Sequence, residues 1–238
     1  MDDFASRTDA TQEFLDSLPE LEPGATFLFA CHPGVECFNA CCGDLTLMLT
    51  PYDVMRLRRA LGLDSREMIQ RHLEVAAQPG AFPSVRLKMA EGEGRPCPFV
   101  TPEGCSIYPD RPGACRTYPL GRAARPDGRG GVCERHFVVR EDHCKGFAAG
   151  RDWTAEQWLQ DQGLEPFTEY NDRYMRLMAK QRATGRGLDA RQVNMAFLAL
   201  YQLDNFQRFL QEMRVFERVE APEERQQAVF ADEEACLD

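Results

Sequence analysis

Residues 25–49 read ATFLFACHPGVECFNACCGDLTLML, and four cysteines, Cys31, Cys37, Cys41 and Cys42, crowd the middle of the stretch. TFLF is an apolar, strand-like approach, and the cysteine loop after it follows neither a helical nor an alternating period. Beyond it Leu45, Leu47 and Leu49 alternate, which predicts a short strand. Thiolates a few residues apart can wrap one metal centre, because so short a loop can aim its sulfurs inward. Adjacent cysteines are harder to place on one ion, since successive side chains of an extended segment point to opposite sides. Cys41 and Cys42 therefore sit in a sharp turn, which Gly43 would allow, or serve two different centres.

Downstream, Thr50 can cap a helix that starts on Pro51, carries Asp53 in its first turn and stops at Gly62. A second short helix starts at Asp64 or Ser65 and covers REMIQRHLE. AAQPGAFPS reads as a loop and SVRLKMA as a strand. CPFVTPEGCSIYP predicts two short strands joined at Pro102-Glu103-Gly104, DRPGACRTYPLG a tight turn or one helical turn, and GVCERHFVVRE a strand. Residues 91–150 hold too few apolar side chains for a core of their own, so metal cross-linking is the natural stabiliser. Upstream, a weak helix is expected around Thr11–Leu18. From Trp153 the pattern is helical: Thr154 and Gln157 form a capping-box pair, and longer helices are expected over 165–181 and 189–213.

The chain has 238 residues, 43% hydrophobic and 28% charged, ordinary values for a globular protein. Its net charge of −10 is uneven: residues 1–30 carry −6, residues 215–238 carry −6, and residues 31–150 carry +2. Both ends thus read as solvated acidic segments. Binding to nucleic acid is not expected without a basic footprint, and the short basic run Arg122–Gly131 reads as a solvated loop. No apolar run is long enough to span a bilayer, and the first residues do not resemble an export signal. A cytoplasmic protein is expected.

Nine of the ten cysteines lie between positions 31 and 144. In a reducing compartment such clustering points to metal ligation rather than disulfides. The second constellation is Cys97, Cys105 and Cys115, followed by Cys133 and Cys144, with Arg111 and Arg116 placed to offset thiolate charge. His136 and His143 are alternative donors, and His72 reads as a surface residue. Cys236, in the terminal ADEEACLD, reads as a free exposed thiol.

The run Cys31…Cys37…Cys41-Cys42, then LTPYDVMRLRRALG, then CPFV…GCSIYPDRPGACRTYP, resembles the YkgJ-type cysteine-cluster family across residues 27–147. That family is described as a zinc- or iron-chelating domain with a CxxCxxCC signature; here the first spacings are x5 and x3. The resemblance implies Cys37, Cys41, Cys42, Cys97, Cys105, Cys115 and Cys144 as ligands. Adding Cys31 gives eight thiolates, enough for two four-cysteine sites of zinc or of 4Fe–4S clusters, with Cys133 the odd one or a replacement for Cys31. A similar cluster in flagellin lysine methylases keeps an iron–sulfur enzyme or redox protein open beside a plain metal-binding protein. Tyr108, Arg111, Arg116 and Tyr118 are candidate supporting groups.

The expected fold is α+β: a cysteine-rich, irregular, metal-stabilised core with short strands and short helices, packed against C-terminal helices. The expected division is an acidic segment 1–26, a metal-binding domain 27–150, a helical part 151–213 and an acidic tail 214–238. Metal is the expected partner; a substrate, a protein partner and a reaction are not specified.

Overall fold

The Thr50 hydroxyl accepts from the Asp53 N–H at 3.2 Å, while the Asp53 carboxylate accepts from the Thr50 N–H at 2.8 Å. That reciprocal cap launches the first helix, and Gly62 ends it in the left-handed conformation (φ 63°). The computed structural model describes residues 18–76 and 80–238; the helix expected around Thr11–Leu18 lies almost wholly outside them. In chain order the elements are β1 (Thr26–Phe29), β2 (Met48–Leu49), α1 (Pro51–Leu61), α2 (Ser65–His72), β3 (Leu73–Ala76), β4 (Ser84–Leu87), β5 (Val100–Thr101) and β6 (Gly104–Cys105). Then come α3 (Gly113–Thr117), β7 (Leu120–Pro126), β8 (Val132–Val138), β9 (Arg151–Thr154), α4 (Ala155–Asp161) and α5 (Glu165–Ala183). The chain ends with α6 (Ala190–Tyr201), α7 (Leu203–Glu212), α8 (Glu223–Ala231) and α9 (Glu233–Leu237). The fold is α+β, as its short strands and numerous helices require.

The chain forms two compact units, each assembled from two stretches. One takes the chain up to Cys41 and then Gly113–Pro166; the other takes Cys42–Pro112 and Phe167–Asp238.

In the first unit β1 pairs antiparallel with β9, Phe27 opposite Trp153, and β7 pairs with β8. Phe27 and Phe29 alternate inward, as a half-buried strand dictates, and join Leu120, Trp153 and Trp158 in one core. Each indole N–H finds a carbonyl at 3.0 Å, Trp153 that of Phe29 and Trp158 that of Thr117. Burying side chains of this size contributes about 1.5–3 kcal/mol apiece.

In the second unit β2, β4 and β3 make a three-stranded antiparallel sheet. Leu57 and Met68 from α1 and α2, with Val85, Leu87, Phe99 and Tyr201, fill its core. The N-terminus of α2 is held by Asp204, whose carboxylate accepts from the Ser65 N–H at 3.0 Å and from the Ser65 hydroxyl.

Several expectations are corrected. The single helix over 189–213 is broken at Gln202 (φ −134°, ψ 56°), so Tyr201 can pack into the core while α7 starts afresh with Asp204 aimed at Ser65. The helix expected through Glu74 stops at His72, because Leu73–Ala76 pairs with β4. The strand over the alternating leucines shrinks to Met48–Leu49, while Leu45 and Leu47 still pack on the core. The basic run from Arg122 is a strand as far as Pro126, with Arg122 bonded to Glu134 across the hairpin at 2.7 Å. The acidic segment 214–238 is largely helical. Asp232 reaches Arg59 at 2.6 Å, Glu233 pairs with Arg58, and Glu234 accepts from the Tyr52 hydroxyl at 2.7 Å. Cys236 is half-buried by this docking rather than exposed.

Candidate metal centre

The first unit brings Cys31 and Cys144 together by backbone pairing. Ala30, one residue before Cys31, donates its N–H to the Gly146 carbonyl, two residues after Cys144, at 3.0 Å. Between Cys31 and Cys41 the loop folds through successive turns: the Val35 N–H bonds the His32 carbonyl, Phe38 that of Val35, and Ala40 that of Cys37, each at 2.9 Å. Asn39 adopts φ 68°, a left-handed conformation that asparagine tolerates better than most residues. The Lys145 N–H donates to the Cys37 sulfur at 3.0 Å, fastening the loop to the Cys144 segment.

These turns close a small cavity lined by Cys31, Cys37, Cys41 and Cys144, together with His143, Tyr118, Phe29, Ala30 and Gly146. Its interior admits the centre of a water-sized sphere over ≈ 20 Å³, and roughly 10–15 Å³ on that measure suffices for one water. Among the described residues no group of three or more His, Cys, Asp or Glu side chains is placed to hold a metal ion. The four cysteines line a common space. Four thiols with an imidazole beside them are a fitting donor set for zinc or iron.

The Tyr118 hydroxyl is buried at this cavity and makes no well-formed hydrogen bond, with the Cys144 sulfur within its reach. Burial pushes its pKa well above the usual phenol value, and the neighbouring Cys144, Cys41 and Glu141 push it the same way. Phe29 packs edge-on to Tyr118 and Trp158, with ring centroids 6.0 and 5.4 Å apart, so the cavity has a rigid aromatic floor.

In the second unit the Cys97 N–H donates to the Cys42 carbonyl at 2.7 Å, and Cys97 and Cys105 pack against the core. Burial raises the Cys97 pKa, while the N–H groups of Phe99 and Val100 bond its sulfur and favour the thiolate; Cys105 acts with burial. Gly43 stands where a Cβ would lie 2.8 Å from the Gly94 carbonyl, which lets the segment after Cys42 pass close to the one before Cys97.

The remaining candidates stand elsewhere. Cys115 is exposed on α3, and Cys133 is exposed on β8 opposite Arg125. His136 is on the same strand with a buried Nε2, and burial lowers its pKa. Arg111 lies over the Tyr108 ring at 3.7 Å and donates to the Tyr108 carbonyl at 2.7 Å. Arg116 donates to the Gln162 carbonyl at 2.8 Å, so both arginines brace backbone. His72 tilts against Phe99 rather than lying free on the surface.

A protein-family model described as "CxxCxxCC: Putative zinc- or iron-chelating domain" matches residues 30–148, half of the chain. The chain belongs to this family. No curated protein and no solved structure matches it. The matched stretch of the chelating domain holds every cavity-lining cysteine and Cys42, Cys97, Cys105, Cys115 and Cys133. It also contains Gly146, which sequence reading passed over. A Cβ there would lie 2.5 Å from the Ala30 carbonyl and 2.7 Å from the Phe29 ring. The available signal was a small residue close to each of Cys31 and Cys144: Ala30 directly before the first and Gly146 two after the second. No described helix is long and apolar enough to cross a membrane.

Proposed function

We propose that the protein chelates one zinc or iron ion in the first unit through Cys31, Cys37, Cys41 and Cys144, with His143 as the alternative fourth donor. The observation that carries this reading is the cavity these side chains share, with room for about one water-sized body. Four thiolates close the shell, which is the arrangement of a structural or storage site rather than of one holding an open position for substrate. Cys42, Cys97 and Cys105 are proposed as ligands of a separate centre in the second unit; Cys115 and Cys133 are left outside the first set.

The test is metal and acid-labile sulfide analysis of protein purified without oxygen, beside the double variant Cys37→Ser/Cys144→Ser. Bound zinc or iron without matching sulfide, reduced by one ion per chain in the variant, supports the reading. Unchanged metal in the variant overturns it, as does sulfide equal to iron.

A further inference from the structure

We infer that Tyr118 is a positioning residue of the metal centre, whose hydroxyl makes a full hydrogen bond to Cys144 only when that sulfur becomes a metal-bound thiolate. The inference rests on the chelation reading above. Tyr118 lines the cavity, its hydroxyl is shut away from solvent, and it makes no well-formed hydrogen bond, the Cys144 sulfur being the acceptor within its reach. A buried hydroxyl without a partner is a standing cost of folding. A neutral thiol offers little relief, because its sulfur is a weak acceptor. A metal-bound thiolate keeps negative charge on sulfur, and hydrogen bonds to charged acceptors are roughly twice as strong as neutral ones. Cys144 and Cys41 share the cavity with the hydroxyl, and Cys144 bears on it more strongly. The aromatic packing of Phe29 against Tyr118 holds the ring in place, so the donor is fixed before the ion arrives.

The consequence is a change of sign between two states. Without metal the hydroxyl is a burden, and Tyr118→Phe leaves the protein as stable or makes it more so. With metal the hydroxyl is a donor to the centre, and Tyr118→Phe weakens binding. A group that merely filled space would act in the same direction in both states.

The experiment uses the full chain, stripped of metal and reloaded with zinc or cobalt(II). Zinc affinity is measured by competition with a chromophoric chelator, thermal unfolding is followed with and without zinc, and the thiolate-to-cobalt absorption band is recorded. The expected results for Tyr118→Phe are an unfolding temperature unchanged or raised without metal and zinc affinity about tenfold lower. The cobalt band should move to lower energy, since a thiolate that loses a hydrogen bond is a better electron donor. Wild-type affinity with an unshifted band would overturn the inference while leaving chelation intact. If the wild type itself binds neither zinc nor cobalt, the chelation reading falls and this one with it. Should Tyr118→Phe fold poorly without metal, the hydroxyl is structural in both states and the inference is wrong. Tyr118→Leu, which removes ring and hydroxyl together, should destabilise both forms and so calibrates the loss of packing.

Discussion

Gly146→Ala should damage the centre without touching a ligand. A Cβ at this position would lie 2.5 Å from the Ala30 carbonyl oxygen and 2.7 and 3.2 Å from two carbons of the Phe29 ring. None of these is the end of a flexible side chain: one is backbone next to Cys31, and the others belong to a core ring that is 2% exposed. The methyl must therefore push the Cys144 segment away from β1, and the 3.0 Å bond from the Ala30 N–H to the Gly146 carbonyl is the first to go. Overpacking of this kind costs about 1–3 kcal/mol, and the lost backbone bond adds about 0.5–1.5 kcal/mol. The reduced entropy of the unfolded chain returns about 0.4–1 kcal/mol. The net expectation is a loss of about 2 kcal/mol within a span of about 0.5–4 kcal/mol, read as a lower urea midpoint at unchanged slope. Zinc affinity should fall more than tenfold, because Cys31 and Cys144 move apart. Gly34→Ala is the control within the same loop: its Cβ meets only the His32 imidazole, at 3.0 Å, a side chain that can swing aside. If both variants keep wild-type stability and affinity, the close approach of Ala30 and Gly146 is not what builds the centre.

Cys236 has its pKa raised from 9.0 to about 11, first by burial and then by Glu233. The folded state therefore favours the thiol, and the contribution is complete below pH 9.0 and lost as pH rises towards 11. Urea midpoints across that window should fall more steeply for the wild type than for Cys236→Ala; parallel curves would refute it. Asp204 behaves in the opposite sense: burial alone would raise its pKa, but the Ser65 hydroxyl, the N–H groups of Ser65 and Asn205, and Arg58 bring it below the ordinary 3.8. Its contribution holds above 3.8 and fades as pH falls through the folded value, so Asp204→Asn should flatten acid unfolding there. At neutral pH, Asp204→Ala should cost about 1–3 kcal/mol by stranding the α2 terminus, checked by urea unfolding. Deleting residues 233–238 takes Glu233 from Arg58 and the acceptor Glu234 from the Tyr52 hydroxyl, and should lower the unfolding temperature. An unchanged temperature would mean that α9 contributes nothing.

Local signals were legible wherever short-range chemistry decides the backbone. Thr50-Pro51-Tyr52-Asp53, Asp64 and Thr154 with Gln157 each open the helix expected of them, since caps depend on residues three apart. The turn joining β5 and β6 follows from Pro102-Glu103-Gly104 in the same way. Long-range pairings were not legible. Nothing local to Glu233 or Glu234 shows that Arg58 and Tyr52 receive them, so a docked helix read as a solvated tail. The break at Gln202 is also tertiary, because continuous helical periodicity gives no sign that Asp204 is wanted at Ser65. The cysteine set divided along the same line. Adjacency left Cys41 and Cys42 either in a sharp turn or on two different centres, and Cys41 alone of the pair lines the cavity. That Cys144, distant in sequence, completes this group depends on the Ala30–Gly146 pairing.

The most direct test of the central claim is X-ray absorption at the metal edge of the natively loaded full chain. A single ion held by Cys31, Cys37, Cys41 and Cys144 predicts a shell dominated by sulfur, at about 2.3 Å for zinc, and no second metal scatterer nearby. In the Cys37→Ser/Cys144→Ser variant the sulfur contribution from this centre should vanish. A short metal–metal vector, or a shell of oxygen and nitrogen in the wild type, would contradict the account.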